Sequence, residues 1–219
     1  MDRKKDIIKI IDSMAGRYSA YEVFTDWTKC SALAISNSLA MIHDKVWQRR
    51  EDEYRATIQK YNDKEGEKLV EMFDLLVETL EGTMADVLGQ IYMESGMGSK
   101  AAGQFFTPYH LSQSCANLAL LEPDEHGIYR VSEPSCGGGG MIIAVAERMR
   151  DQGIDYQRKL QVVAQDLDWK GVYMCYLQLS LLGIKAICVQ GDTLHAPYDP
   201  RKTEKSHMLI TPGQMGVLI

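Results

Sequence analysis

Four consecutive glycines lie between two segments whose composition is typical of a strand and a helix. Gly137 to Gly140 follow a short strand pattern at 128–133 and precede an amphipathic helix pattern at 141–150. Because glycine has no Cβ and takes positive φ at little cost, such a turn lets a ligand lie against the backbone. The first crossover of a doubly wound sheet holds nucleotides in this way. The sequence therefore predicts a nucleotide-type site at the turn.

The charge near the turn indicates which ligand it takes. A phosphate-binding loop carries a lysine and a hydroxyl residue at the helix start, whereas here the helix opens with Gly140, Met141 and Ile142 and no cation. Instead an acid, Glu133, immediately precedes the turn. A carboxylate there suits a ligand that carries ammonium or hydroxyl groups and no phosphate. S-adenosylmethionine is such a ligand.

Several segments follow one another along the chain: Asp86 to Tyr92, Gly103 to Pro108 (Gly-Gln-Phe-Phe-Thr-Pro), Glu133 to Met141 (Glu-Pro-Ser-Cys-Gly-Gly-Gly-Gly-Met), and strand patterns at 162–166 and 186–194. In this order they resemble the adenine-N6 DNA methyltransferases, in particular the modification (M) subunits of type I restriction systems. The resemblance covers roughly residues 84–194. It implies an α/β, doubly wound, Rossmann-like sheet that binds S-adenosyl-L-methionine, and a role in DNA methylation within restriction-modification.

The resemblance also implies roles for the Gly-Gln-Phe-Phe-Thr-Pro segment. Phe105, Thr107 and Pro108 would form one wall of the cofactor site, with Thr107 near the methionine carboxylate. A structural alternative is that Thr107 is the N-cap of a helix and Pro108 its first residue, since both residue types favour those positions.

The other cofactor residues that the resemblance implies follow the predicted strands. The glycine segment contributes Glu133, Pro134, Gly137 and Gly139. Of these, Glu133 and Gly137 would flank the methionine amino group. Asp166 would accept hydrogen bonds from both ribose hydroxyls, because a carboxylate can take two at once, and Asp192 would accept one from the adenine amino group. Alternatively, Asp166 and Asp168 are caps of the next helix, predicted from Trp169 to Leu182.

The family's amine-holding motif is matched only in part. In these enzymes the fourth strand ends in Asp/Asn/Ser-Pro-Pro-Tyr/Phe, which holds the exocyclic amine and stacks on the flipped base. Here the strand pattern at 207–210 is followed by Thr211, Pro212, Gly213 and Gln214. Thr211 and Pro212 are therefore the candidate catalytic residues. With a hydroxyl in place of an amide or carboxylate, and no aromatic ring, we expect methyl transfer by this chain alone to be impaired.

Two regions are predicted, a helical domain at 1–98 and a partial Rossmann-like methyltransferase domain at 99–219. The apolar spacing predicts a first helix with Ile7, Ile10 and Ile11 on one face, then helices from Trp27 to Trp47 and from Leu69 to Met93, with a solvated helix or hairpin at 49–68. A short fifth strand is predicted at 215–219. In the resembled M subunits the helical region contacts partner subunits and DNA; alternatively it is a cap that covers the sheet.

Composition limits the partners. A net charge of −6 argues against tight unaided DNA binding, which depends on neutralising phosphates. Basic residues form two clusters: Lys45, Arg49, Arg50 and Arg55, and Arg201, Lys202 and Lys205. Acids are interleaved in both, so each cluster is either a DNA contact or a solvent-exposed face. We therefore expect a second protein subunit or a homo-oligomer to accompany any DNA binding. The five scattered cysteines and the histidines have no metal-ligand spacing, so no metal is predicted.

The absence of a signal or membrane-spanning pattern predicts a cytoplasmic protein. The chain stops soon after the fourth strand pattern, so we expect an incomplete sheet whose edge another chain covers. Two further functions stay open. One is a non-catalytic interaction or regulatory protein that pairs with another methyltransferase or restriction subunit, and the other is methylation of an acceptor other than DNA.

Overall fold

The computed structural model describes residues 3–97, 106–119 and 122–217. Its helices are α1 (Arg3–Ser13), α2 (Ala20–Ser38), α3 (Lys45–Ile58), α4 (Asp63–Gly82), α5 (Val87–Glu94), α6 (Tyr109–Leu118), α7 (Gly140–Asp151), α8 (Tyr156–Lys159), α9 (Trp169–Leu181) and α10 (Pro212–Met215). Its strands are β1 (Tyr129–Glu133), β2 (Leu160–Asp166), β3 (Lys185–Gln190) and β4 (Met208–Ile210).

The predicted first helix and the solvated hairpin are confirmed. Ile7 and Ile11 are buried on one face of α1, and Ile10 is partly buried beside them. Residues 49–68 form the end of α3, a turn and the start of α4. Asn62 and Glu65 make reciprocal side-chain to backbone hydrogen bonds at the start of α4, a capping box that fixes where this helix begins.

The two longer helix predictions were wrong, because each segment contains an aspartate that starts a new helix. Asp44 accepts hydrogen bonds from the amides of Val46 and Trp47, so the predicted helix from Trp27 to Trp47 is divided between α2 and α3. Asp86 accepts from the amide of Gly89, which divides the second segment between α4 and α5. Apolar periodicity continues across such breaks, so it does not reveal them.

The sheet has the order β1-β2-β3-β4. The first three strands are parallel, with α7 and α9 as crossover helices, and β4 pairs with β3 in the antiparallel direction. The fold is an incomplete Rossmann-like α/β fold, as predicted. Parallel pairing brings the carboxyl ends of β1, β2 and β3 to one edge of the sheet, so the segments that follow these strands lie near one another.

The predicted fifth strand was wrong for the residues that the structure describes. Pro212 begins the short helix α10, which ends at Met215 with Gly216 in the left-handed conformation (φ 79°). Proline fixes a helical φ and has no backbone N–H for a strand ladder, so it favours a helix start here. Residues 218 and 219 lie outside the described part of the chain.

Helix α9 joins the two parts of the molecule. It packs against β2 and β3 on one side and against α2, α4 and α5 on the other, and its side chains from Lys170 to Ser180 are all buried. The buried apolar residues of the helices and of the sheet form one continuous core. Within the described ranges, no helix has both the length and the apolar character needed to cross a bilayer.

Candidate cofactor site

A cavity of about 310 Å³ lies beside the glycine turn at the carboxyl edge of β1 and β2. It is lined by Asp86, Phe106, Thr107, Ser112, Ser135, Cys136, Gly137, Gly138, Gly140, Met141, Asp166 and Gly171. Its walls thus come from the start of α5, from the start of α6 and from the sheet edge. The volume is at the lower end of the range for small-molecule sites.

The glycine turn has the backbone that the sequence predicts. Gly137 has φ 48° and Gly139 has φ 91°, both in the left-handed region. A Cβ on Gly137 would lie 2.8 Å from a ring carbon of Phe106, and one on Gly139 would lie 3.1 Å from Cys175 Sγ. Gly137 therefore gives the cavity its shape on the Phe106 side, while Gly139 allows the turn to pack on α9.

Asp166 faces this turn from the end of β2. Its Oδ2 accepts a hydrogen bond from the Gly137 amide at 2.8 Å, and its Oδ1 accepts one from the Asp168 amide at 3.0 Å. A carboxylate has further acceptor positions, so Asp166 can still accept from ligand hydroxyls. Asp168 is the N-cap of α9 and accepts from the Lys170 amide. Of the two possible helix caps, Asp168 has that role and Asp166 lines the cavity.

Asp86 enters the cavity wall from the helical region. Its side chain is almost fully buried, with the residue 3% exposed. Asp86 Oδ1 accepts from the Gly89 amide and from Gln178 Nε2, each at 2.9 Å. Gln178 Nε2 also donates to the carbonyl of Gly138, and Gln178 Oε1 accepts from the Leu88 amide. Burial raises the pKa of the Asp86 carboxyl.

Two further polar groups lie in the wall. Ser112 is fully buried, and its Oγ has no hydrogen-bond partner within the described ranges. An orphaned hydroxyl in a cavity wall fits a site that a polar ligand completes. A hydrogen bond with Cys175 and burial hold the pKa of the Cys136 thiol well above its ordinary value. The raised pKa disfavours the thiolate, which is the nucleophilic form of a cysteine.

Of the residues predicted from the sequence, the structure brings Thr107, Gly137 and Asp166 together in the cavity. Pro108 lines a neighbouring cavity and is itself the N-cap position of α6, so the structural alternative, with Thr107 as N-cap and Pro108 as the first helical residue, was wrong by one residue. Phe105 lies outside the described residues. The adjacent Phe106 supplies an aromatic wall, and its ring packs edge-on against Tyr92.

Three other predicted residues lie at the same edge of the sheet but outside this lining. Glu133 Oε1 accepts from the Ser135 amide. The carbonyl of Pro134 accepts from Thr193 Oγ1 at 2.7 Å, which holds the 191–194 loop close to the glycine turn. Asp192 is 43% exposed at its side chain and is 2.6 Å from His195 Nδ1, and this hydrogen bond lowers the pKa of the Asp192 carboxyl.

The structure places Thr211 and Pro212 at the opposite edge of the sheet. Because β4 runs antiparallel to β3, its end lies beside the start of β3. Thr211 is fully buried, where its Oγ1 donates to the carbonyl of Ile184 and accepts from the amide of Ala186, both at 2.8 Å. This hydroxyl joins the end of β4 to the start of β3, so the structure does not bring Thr211 and Pro212 together with the predicted cofactor residues.

Four residues of the cavity wall have no site role predicted from the sequence: Asp86, Phe106, Ser112 and Met141. Asp86 and Phe106 belong to segments that carry the family resemblance, so their place in those segments was the available signal. Ser112 is a small polar residue within α6, and nothing in its surrounding sequence distinguishes it.

Residues 83–212, more than half of the chain, match the sequence profile of the family described as N-6 DNA Methylase. The type I restriction enzyme MjaIX methylase subunit of Methanocaldococcus jannaschii is 26% identical over 133 residues, which cover 58% of this chain and 23% of that protein. The chain thus spans about a quarter of that relative's length. A solved Listeria monocytogenes structure, described as a class I S-adenosylmethionine-dependent methyltransferase, is 9% identical with a TM-score of 0.46, covering 96% of this chain and 67% of that one. On the extent of the family match, the chain belongs to the N-6 DNA methylase family.

Proposed function

We propose that this chain is the cofactor-binding part of an adenine-N6 DNA methyltransferase of a restriction-modification system. S-adenosyl-L-methionine is the cofactor of the family, and when bound it supplies an electrophilic methyl group on a sulfonium. The observation that carries the proposal is the cavity in which Thr107, Gly137 and Asp166 converge. These residues come from three of the segments that carry the family resemblance, and Asp166 lies at the end of β2.

The chemistry of the cavity fits this cofactor. The bare backbone of Gly137 and Gly138 allows close approach of a flat or extended ligand. Asp166 provides acceptors for a pair of hydroxyls, and the orphaned Ser112 Oγ provides one more polar partner. The two acids of the wall, Asp86 and Asp166, suit a ligand with cationic groups and would repel a phosphate.

We propose that residues other than Thr211 and Pro212 hold the acceptor adenine. Thr211 is engaged with the backbone of β3, so its hydroxyl does not reach the cofactor side of the sheet. The relative from Methanocaldococcus jannaschii is itself named a subunit. This supports a second subunit, or a second copy of the chain, as the source of the missing acceptor contacts. On this proposal, this chain binds the cofactor, and methyl transfer takes place only in the assembly with the second subunit or second copy.

DNA binding by the assembly is likewise proposed. Two of the four basic residues of α3 pair with acids of the same helix, Arg49 with Glu53 and Arg55 with Glu51. Arg50 instead donates to backbone carbonyls at Lys205 and Met208. This pairing supports a partner as the main source of phosphate contacts. We retain the division into a helical domain at 1–98 and a partial methyltransferase domain at 99–219 as part of the proposal.

The test is a calorimetric titration of the purified chain with S-adenosylmethionine, with Asp166→Asn as the site variant. We expect micromolar binding by the wild type and a loss of about tenfold or more in the variant, which corresponds to roughly 1.4 kcal/mol. Asp155→Asn is the matched control, because Asp155 caps α8 just before the opposite end of β2. A folded wild type that gives no binding heat and no thermal shift would overturn the proposal.

A further inference from the structure

We infer that Asp86, which the helical region contributes, binds the ammonium group of the cofactor's amino-acid part. The inference rests on the proposed function and deepens it. Residues of the α4–α5 boundary and of the sheet edge would then form the cofactor site together. The observation behind it is a buried carboxylate in the cavity wall, pressed against the glycine turn.

The position of Asp86 relative to the turn is closely defined. A Cβ on Gly138 would lie 3.1 Å from Asp86 Oδ1, and a Cβ on Gly140 would lie 3.0 Å from Asp86 Oδ2. Both glycines line the cavity. The two carboxylate oxygens therefore lie directly against the turn where the ligand's polar end is expected. A glycine at each of these positions is what allows the approach.

Both hydrogen bonds that the Asp86 side chain accepts within the described residues go to Oδ1. Gly89 N–H and Gln178 Nε2 both donate to Oδ1. Oδ2 is the oxygen nearest the position of a Gly140 Cβ. Both donors to Oδ1 are neutral, and neutral donors compensate a buried carboxylate less well than a cation does. A capping role alone is met equally by asparagine or serine. The acid is explained by a cationic ligand group.

The second acid of the cavity has a different task. Asp166 faces Gly137 from the end of β2, where it suits the ribose hydroxyls. Glu133, which the family resemblance suggested for the amino group, accepts from the Ser135 amide and is not among the residues of the cavity wall. Asp86 is then the acid placed to accept from an ammonium. A sulfonium has no N–H or O–H to donate, so the hydrogen-bonding group is the ammonium.

The test uses three ligands that differ in this group. S-adenosylmethionine and S-adenosylhomocysteine both carry the ammonium, whereas 5′-methylthioadenosine keeps the adenine, ribose and sulfur but lacks the amino-acid part. We expect Asp86→Asn to weaken binding of the first two by roughly 10- to 100-fold, the scale of a hydrogen bond to a charged group. The affinity for 5′-methylthioadenosine should be unchanged. Asp86→Ser, which keeps an N-cap acceptor, should give the same pattern.

Asp44→Asn is the control for loss of a helix cap, because Asp44 caps α3 away from the cavity. Unchanged affinities in Asp86→Asn, or an equal loss for all three ligands, would overturn the assignment while leaving the proposed function intact. Absence of binding of any of the three by folded wild type would overturn the proposed function and the assignment together. Circular dichroism and thermal unfolding of both variants establish that they are folded.

Discussion

Burial of the Asp86 carboxylate is unfavourable for the stability of the protein without a bound ligand. Its two hydrogen-bond donors are neutral, and burial raises its pKa above the ordinary value of 3.8. In the unfolded chain the group loses its proton near that ordinary value, while in the folded protein it keeps the proton to higher pH. As the pH rises through this interval, the unfolded state is favoured, so the contribution of Asp86 to stability is largest below pH 3.8 and declines above it.

The substitution Asp86→Asn removes this effect. The amide keeps an acceptor for the Gly89 amide and has no charge to bury. We expect the ligand-free variant to be more stable than wild type at pH 7, by roughly 1 kcal/mol, the scale of one buried polar interaction. The difference should shrink as the pH falls towards 4. Thermal unfolding from pH 4 to 8 measures it, and a variant that is less stable at every pH would contradict the account.

Gly137 is the second residue whose role can be isolated. Alanine there meets both a positive φ and the Phe106 ring at 2.8 Å, so Gly137→Ala should narrow the cavity and weaken S-adenosylmethionine binding at least tenfold. Gly153→Ala is the control, because Gly153 also has a positive φ (73°) but open space around its Cβ position. The control should lose roughly 1 kcal/mol of stability and no affinity. Equal affinities in the two variants would contradict the prediction.

Among the elements, α9 holds the site together through one side chain. Gln178 links α5 to the glycine turn by bonding Leu88, Asp86 and Gly138, and all of these contacts are buried. Gln178→Leu should leave buried donors and acceptors unpaired and lower the free energy of unfolding by about 2–4 kcal/mol. Urea unfolding measures the change. Gln48→Ala on the exposed face of α3 is the control and should cost under about 0.5 kcal/mol.

Strand β4 is held in place by a side chain of the helical region. Arg50 donates to the carbonyls of Met208 and Lys205 and also to Ser36 Oγ. Arg50→Lys keeps the charge but loses the fork of donors, so amides at 208–210 should exchange with solvent faster, by about tenfold. Arg49→Lys, whose partner Glu53 is on the same helix, should leave their exchange unchanged. Equal exchange in the two variants would show that Arg50 does not hold β4.

The elements differ in how far the sequence determines them. Short apolar runs that alternate with segments of helical periodicity predict the three parallel strands and the helices α7 and α9. A helix that connects two neighbouring strands makes the strands pair in parallel. Between β3 and β4 the one helical segment is the short 3-10 turn Lys205–His207, so no crossover helix joins the two strands and β4 returns antiparallel. The direction of β4 depends on how the rest of the sheet is packed, and the local sequence of β4 does not carry this information.

The same limit applies to the site. Gly137 and Asp166 are predictable because turn and strand-end positions are local features of the sequence. Asp86 is recognisable locally only as a helix start, since the contact that places it at the turn runs through Gln178, 92 residues later. The motif position of Thr211 is readable from the sequence, whereas the antiparallel direction of the strand before it, which puts it at the other edge of the sheet, is not.

At the scale of the whole molecule, net charge limits how tightly the isolated chain can bind a DNA duplex. The net charge is −6, and acids of the same helix pair with Arg49 and Arg55. We expect the isolated chain to bind a DNA duplex no more tightly than about 10⁻⁴ to 10⁻⁶ M at physiological salt, the non-specific range. Fluorescence anisotropy with a labelled duplex measures this. Nanomolar binding by the chain alone would contradict the proposed need for a partner.

We propose that S-adenosylmethionine binds between the helical region and the sheet edge. Hydrogen-exchange mass spectrometry of the chain with and without the cofactor tests it most directly, because it locates protection along the backbone. We predict slower exchange at 86–92 and at 135–143, which contain Asp86 and the glycine turn, and little change in α3 or β4. Protection confined to other segments, or none with cofactor in excess, would contradict the account.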